Sequence, residues 1–146
     1  MSMSYSFQVT FDARDPERLA DFWKEALGYQ RPPPPSGYTS WVAFLKDKGF
    51  PEEEWGGADA LVDPDGDGPR LYFQKVPESK TAKNRMHLDI NVADRDADAT
   101  QRRIDIDQEV DRLMTHGATR IEDVDEKDSF VWTVMNDPEG NEFCVQ

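Results

Sequence analysis

A single cysteine, Cys144, leaves no partner for an intrachain disulfide, which excludes the small disulfide-stapled secreted folds and agrees with a reducing compartment. Long apolar runs are also missing. No stretch approaches the roughly 18 to 20 residues of a membrane span, and the opening Met-Ser-Met-Ser-Tyr-Ser-Phe-Gln lacks the basic and then apolar order of a leader. We therefore expect a cytoplasmic protein. Basic residues are scarce, with 17 Lys plus Arg against 30 Asp plus Glu, and the formal charge of −13 repels phosphate backbones and anionic headgroups. Neither nucleic acid nor a membrane surface is expected as a partner. What the 146 residues do contain is 37% apolar and 11% aromatic side chains, enough to bury a core in one domain despite the hydrophilic average.

The first half opens on Phe7-Gln8-Val9-Thr10-Phe11-Asp12, whose period-2 alternation predicts a half-buried strand with Phe7, Val9 and Phe11 on one face. Asp15-Pro16-Glu17 supplies an N-cap, a proline at the first helical position and an acid at the positive end of the helix dipole. The helix that follows carries Leu19, Phe22, Trp23, Ala26 and Leu27 as its apolar stripe, and Gly28 stands at the C-terminal cap. After Pro32 to Pro35, the apolar run Trp41-Val42-Ala43-Phe44-Leu45 reads as a strand. Residues 46–69, rich in acids and glycines, read mostly as a long loop, and Arg70-Leu71-Tyr72-Phe73-Gln74 as the closing strand.

From residue 86 the same order begins again. Met86-His87-Leu88-Asp89-Ile90-Asn91-Val92 alternates as the first strand did, and a helix with Ile106, Val110, Leu113 and Met114 as its stripe ends at Gly117. Residues 94–104 form an added stretch whose helical state the pattern leaves open. Ala118 to Val124 and Phe130 to Met135 read as strands, and Asp137-Pro138-Glu139-Gly140 as a turn into the last strand, Glu142-Phe143-Cys144-Val145-Gln146. That turn mirrors Asp63-Pro64-Asp65-Gly66 ahead of Leu71-Tyr72-Phe73-Gln74, and Trp132 mirrors Trp41.

A duplicated strand-helix-strand-strand-strand unit with these endings resembles the glyoxalase/bleomycin-resistance/dioxygenase superfamily, also called the vicinal oxygen chelate fold, and within it the glyoxalase-like domain subgroup. The resemblance is carried by Phe73-Gln74-Lys75-Val76-Pro77-Glu78, by Lys83-Asn84-Arg85-Met86-His87-Leu88-Asp89, and by Asn136-Asp137-Pro138-Glu139-Gly140-Asn141-Glu142-Phe143-Cys144-Val145. It covers nearly the whole chain, with 46–69 and 94–104 as apparent insertions. It implies an α+β fold: one domain, 1–146, of two tandem βαβββ modules (about 5–78 and about 84–146) whose cupped mixed or antiparallel sheets carry helices on the convex side. It also implies a homodimer and a pocket for a small-molecule ligand on the concave side.

The alternation assigns Gln8, Thr10, Asp12, Arg70, Tyr72, Gln74, His87, Asp89, Asn91, Glu142, Cys144 and Gln146 to the strand face opposite the core. A merely solvated face gives the same period, but His, Tyr, Cys, Gln and Arg are the convergent polar groups of a pocket wall. Of these, Gln8, Arg70, Tyr72, His87, Glu142 and Cys144 are the candidate ligand-binding residues.

In metalloenzymes of the superfamily, the first strand of each unit gives His or Gln to a divalent ion and the last strand often gives Glu. The first-strand positions match Gln8 and His87. The last-strand positions fall on Cys144 and Tyr72, and Glu142 lies two residues, about 7 Å, before Cys144. The full carboxylate-rich set for Ni, Fe or Mn is missing. His87 and Cys144 with Gln8, Tyr72 or Glu142 make a candidate Zn site, since thiolate and imidazole suit zinc. His87 reads either as a ligand or as a pocket residue hydrogen-bonded to Tyr72 or Glu142, and Cys144 as a ligand or a small buried hydrophobe.

Weaker candidates are Asp12 and Asp89 as general bases at a rim, His116 at the negative end of the second helix, and the basic run Lys75, Lys80, Lys83 and Arg85 as an attractor of anions or of acids on a second subunit. Trp41, Trp55 and Trp132 read as core or as pocket lining. Two functions follow. One is a small-molecule binding protein of the bleomycin-resistance type without the superfamily's full metal site. The other is a metal-dependent lyase or dioxygenase using His87 with Gln8 and Cys144 or Glu142.

Overall fold

The computed structural model describes residues 4–126 and 130–146, which divide into two compact units, one ending at Ser79 and the other beginning at Lys80. Each builds an open mixed sheet with one helix packed on it.

In the first unit the strand β1 (Gln8–Ala13) leads into the helix α1 (Pro16–Leu27). The Asp15 carboxylate accepts a hydrogen bond from the Arg18 N–H at 3.1 Å, Pro16 sits in the first turn, and Gly28 closes the helix at φ 68°, a left-handed conformation that costs glycine nothing. Leu19, Ala20, Phe22, Trp23 and Ala26 are buried. They pack on a sheet of order β1-β3-β2, in which β3 (Arg70–Lys75) lies parallel to β1 and antiparallel to β2 (Ala58–Leu61). The β1/β3 register pairs Phe11 with Phe73, whose rings stack at 5.1 Å, and Trp23 lies 5.4 Å from Phe11. Burying these aromatics on one face fixes which side chains appear on the other, because a one-residue slip would turn them out to water.

Three expectations change in this unit. Trp41-Val42-Ala43-Phe44-Leu45 is not a strand but the start of the helix α2 (Trp41–Asp47), none of whose residues is buried. The Ser40 hydroxyl caps it by accepting from the Ala43 N–H at 3.0 Å, and a short apolar run carries no period that separates helix from strand. The Trp41 indole N–H donates to the Pro32 carbonyl and its ring meets Phe44 edge-on, so Trp41 is not the counterpart of Trp132, which stands on a strand. The 46–69 segment is mostly loop, as expected, with two short elements inside it. A 3₁₀ turn (Glu52–Glu54) precedes β2, whose Ala60 and Leu61 are buried and whose Asp59 is paired with Arg31. Phe7 is 70% exposed rather than in the core, since the ladder begins only at Gln8.

The second unit has the sheet order β4-β7-β6-β5, built from β4 (Asp89–Ile90), β5 (Thr119–Glu126), β6 (Phe130–Asn136) and β7 (Glu142–Val145), with β4 parallel to β7 and the other pairs antiparallel. The long first strand expected over 86–92 is regular only at Asp89–Ile90, although Cys144 and Gln146 also donate their N–H groups to the Leu88 and Ile90 carbonyls at 2.9 Å. In 94–104, Asp94 caps a turn at Asp96 and Asp98 caps the helix α3 (Ala99–Thr115) through the Gln101 N–H. The α3 stripe is narrower than expected. Ile106, Val110 and Leu113 are buried, at spacings of four and three, while Met114 is 45% exposed.

Arg103 of α3 reaches back over the sheet. Its guanidinium donates to the Thr133 hydroxyl at 2.8 Å, to the Trp132 and Val124 carbonyls, and to Asp107 and Asp125. Thr133, fully buried, is thus satisfied on both sides, since its own hydroxyl donates to Asp123.

Candidate functional site

The repeated turns set the site strands in place. In Asp137-Pro138-Glu139-Gly140, the buried Asp137 carboxylate accepts from the Glu139 and Asn141 N–H groups at 2.9 Å, and Gly140 takes φ 89°. In Asp63-Pro64-Asp65-Gly66, the Asp63 carboxylate likewise accepts from the Asp65 and Gly68 N–H groups, and Gly66 takes φ 77°. An aspartate that folds its own turn and a glycine at positive φ therefore deliver β7 in one unit and β3 in the other.

On the first unit's polar face the residues form cross-strand rungs. Gln8 lies opposite Arg70, Thr10 opposite Tyr72 and Asp12 opposite Gln74. The Arg70 guanidinium donates to Gln8 Oε1 at 2.7 Å and the Gln74 amide to Asp12 Oδ1 at 2.6 Å. The guanidinium also lies 5.7 Å from the Tyr72 ring centroid, within cation–π reach. Gln8, Arg70 and Tyr72, all singled out by alternation, are brought together here.

On the second unit's face, the parallel pairing of β4 with β7 sets Asp89 opposite Cys144, and His87 lies two residues before Asp89. The donor atoms of His87, Asp89 and Cys144 all lie within 4.8 Å of one another. His87 Nδ1 is 3.0 Å from Asp89 Oδ1, so the hydrogen-bond partner of the imidazole is the next residue on its own side. Partial burial, then the adjacent Asp89 carboxylate, push the Cys144 thiol up to about 11, against a smaller opposing pull from Lys83.

Glu142 is engaged elsewhere. Lys80 Nζ lies 3.0 Å from its Oε1 and the Asn84 N–H donates to its Oε2 at 3.0 Å. Desolvation alone would raise this carboxyl. The Asn84 N–H and the Lys80 ammonium outweigh it and hold the group down at about 2. At the end of the sheet the Gln146 amide donates to Asn91 at 2.9 Å.

Some of the remaining candidates are engaged within the fold. The backbone N–H of His116 donates to the Leu113 carbonyl at the C-cap of α3, and the Trp55 indole N–H donates to the Phe50 carbonyl. Lys80, one of the basic run, is the partner of Glu142. Asp89 as a companion of Cys144 had a partial signal in the sequence. Alternation places His87 and Asp89 on one face, but only the parallel register brings Cys144 opposite.

The donor set decides which metal these residues fit. Two of the oxygen donors that a hard divalent ion in an octahedral shell would use are already engaged by cationic side chains. The Gln8 carbonyl faces a guanidinium that would repel a cation, the Glu142 carboxylate is held by Lys80, and a thiol stands where an oxygen donor is needed.

Residues 8–146 match the family model described as a glyoxalase-like domain. No curated protein matches the chain. Among solved structures, a glyoxalase/bleomycin resistance protein/dioxygenase family enzyme from Burkholderia phytofirmans is 18% identical, with 94% of each chain covered and a TM-score of 0.60. A possible glyoxalase from Bacillus cereus is 13% identical, with 99% of each chain covered and a TM-score of 0.61. A mutant of the fosfomycin resistance protein FosX from Listeria monocytogenes, complexed with Mn(II) and 1S,2S-dihydroxypropylphosphonic acid, is 10% identical, with 100% of this chain and 90% of its own covered and a TM-score of 0.60. At such identities the likeness is one of fold, and chemistry rests on each chain's own residues.

Proposed function

Because the chain belongs to the glyoxalase-like domain family, whose model spans residues 8–146, we propose that it is a homodimeric binding protein for a small, oxygen-rich molecule held on the polar strand faces. The observation that carries this reading is the pre-pairing of those faces. Gln8 with Arg70, Asp12 with Gln74 and Asn91 with Gln146 are already joined across strands, so a ligand meets donors and acceptors fixed in place and loses little side-chain entropy on binding. Arg70 over Tyr72 offers a cation and a phenol to an acceptor-rich group.

The alternative, a metal-dependent lyase or dioxygenase using His87 with Gln8 and Cys144 or Glu142, requires Gln8 and Glu142 to leave Arg70 and Lys80. That cost is why we favour binding.

A thermal-shift screen of polar metabolites and antibiotics, run in chelator, tests the proposal. The fosfomycin resistance protein of like fold makes phosphonates a rational part of that screen. A ligand at about 100 times its Kd stabilises the native state by about 2.7 kcal/mol, and we expect Arg70→Ala and Tyr72→Phe to weaken its shift. A shift that both variants leave intact, or turnover that appears only with added Mn, Fe or Ni, would overturn it.

A further inference from the structure

At the end of the second unit's sheet, a cavity of about 390 Å³ is lined by Asn91, Ala93, Arg95, Arg102, Phe130 and Gln146. We infer that it binds a small organic carboxylate with a flat apolar body. The site shares the Asn91–Gln146 pair with the binding face proposed above and to that extent rests on that reading. Its two cations, however, stand off the strands, Arg95 in the turn after β4 and Arg102 in the helix α3.

The frame of the cavity is held by backbone. Gln146 donates its N–H to the Ile90 carbonyl at 2.9 Å, and its own carbonyl accepts from the Val92 and Ala93 N–H groups at 2.7 and 3.2 Å. Across that frame the Gln146 amide donates to Asn91 Oδ1 at 2.9 Å. The bond uses one donor of Gln146 and one lone pair of Asn91, so both amides keep hydrogen-bonding capacity for a ligand.

Charge distinguishes the cavity from the rest of the surface. Acids outnumber bases 30 to 17 in the chain, yet the described residues that line this cavity include two guanidinium groups and no carboxylate. Acids of the neighbouring turn are committed to backbone: Asp94 accepts from the Asp96 N–H at 2.9 Å and Asp98 from the Gln101 N–H at 2.8 Å. Among the described residues Arg95 has no ion-pair partner. Two cations facing one cavity repel each other, and an anion between them removes that repulsion. At an ionic strength of about 0.15 M the Debye length is about 8 Å, so the lining groups outweigh acids elsewhere on the surface.

The remaining wall sets the body of the ligand. Phe130, at the start of β6, is 64% exposed and offers an apolar ring to a flat group. The guanidinium fork matches a carboxylate in bidentate fashion. The volume lies within the roughly 300 to 1,000 Å³ of small-molecule sites, which suits a ring carrying a carboxylate better than a bare inorganic ion.

The test titrates the isotope-labelled full chain, in chelator, with benzoate, acetate and benzamide, and follows binding by NMR. These probes present charge with ring, charge alone and ring alone. We expect benzoate to bind at least about tenfold tighter than either of the others, and the side-chain amides of Asn91 and Gln146 to shift as it binds. Arg95→Gln and Arg102→Gln should each weaken benzoate at least about tenfold, the worth of a charge-assisted hydrogen bond. Phe130→Ala should bring benzoate down to the affinity of acetate. Arg95 and Phe130 are exposed, so their variants keep the fold, as unchanged amide spectra away from the cavity will show. Benzamide binding as tightly as benzoate, unchanged affinity in Arg95→Gln, or shifts that miss Asn91 and Gln146 would overturn the inference. The metabolite screen is read through Arg70 and Tyr72 and this titration through Arg95 and Arg102, so the two readings fail separately.

Discussion

Glu142 shows how a residue with the chemistry of a ligand can be committed to another task. Alternation puts it on the polar side of the last strand, but the basic residue that claims it, Lys80, lies 62 positions earlier, and the Asn84 N–H completes the grip. Because the folded chain holds this carboxyl at about 2, below its ordinary 4.5, its contribution to stability is full above pH 4.5 and is lost as pH falls toward 2. Glu142→Gln should therefore lower stability at pH 7 by about 1 to 2 kcal/mol, the worth of charge-assisted hydrogen bonds at a partly buried site. Urea denaturation of both proteins across this range will read it. The gap between them should shrink below pH 4.5, and a gap that stayed constant to pH 2 would exclude the ion pair as its cause.

The elements differ in how much holds them. The helix α1 buries six residues, among them Phe22 and Trp23, and is capped at both ends, whereas α2 buries none and leans on the Ser40 cap and the edge-on contacts of Phe44 with Tyr38 and Trp41. A helix without buried surface opens locally at little cost. Amide hydrogen exchange at residues 44–48 should accordingly run at least about 100-fold faster than at residues 19–26 of α1. Ser40→Ala, which removes a cap worth about 1 kcal/mol, should speed it about fivefold more and leave α1 unchanged. The same weakness explains why the sequence misleads at this point, since five apolar residues beside a proline run satisfy a buried strand as well as an amphipathic turn, and the Ser40 signal is a single residue.

For the whole molecule the −13 charge matters more than any one pair. Arg31 with Asp21 and Asp59, and Arg103 with Asp107 and Asp125, are local attractions, but the acids outnumber the bases and their mutual repulsion opposes compaction. Raising salt from about 0.01 to about 0.15 M shortens the Debye length from about 30 to about 8 Å, so Tm should rise by a few degrees in calorimetry. A fall would mean that the ion pairs outweigh the net repulsion. None of the helices among the described residues is long and apolar enough to cross a membrane.

The sequence by itself determined the fold class, the start and cap of α1, the two Asp-Pro turns, the alternating faces and most of the core, including Leu19, Phe22, Trp23, Ile106, Val110, Phe143 and Val145. These are local matters, decided by residues within about four positions of one another or by a strict period. Tertiary structure alone decided that β2 forms within an acidic connection, that Phe7 lies outside the ladder, that Asp89 stands opposite Cys144, and that Lys80 takes Glu142. Each depends on which strand lies beside which and where pairing begins. That information resides in contacts between segments far apart in the chain, and no periodicity within a single segment encodes it.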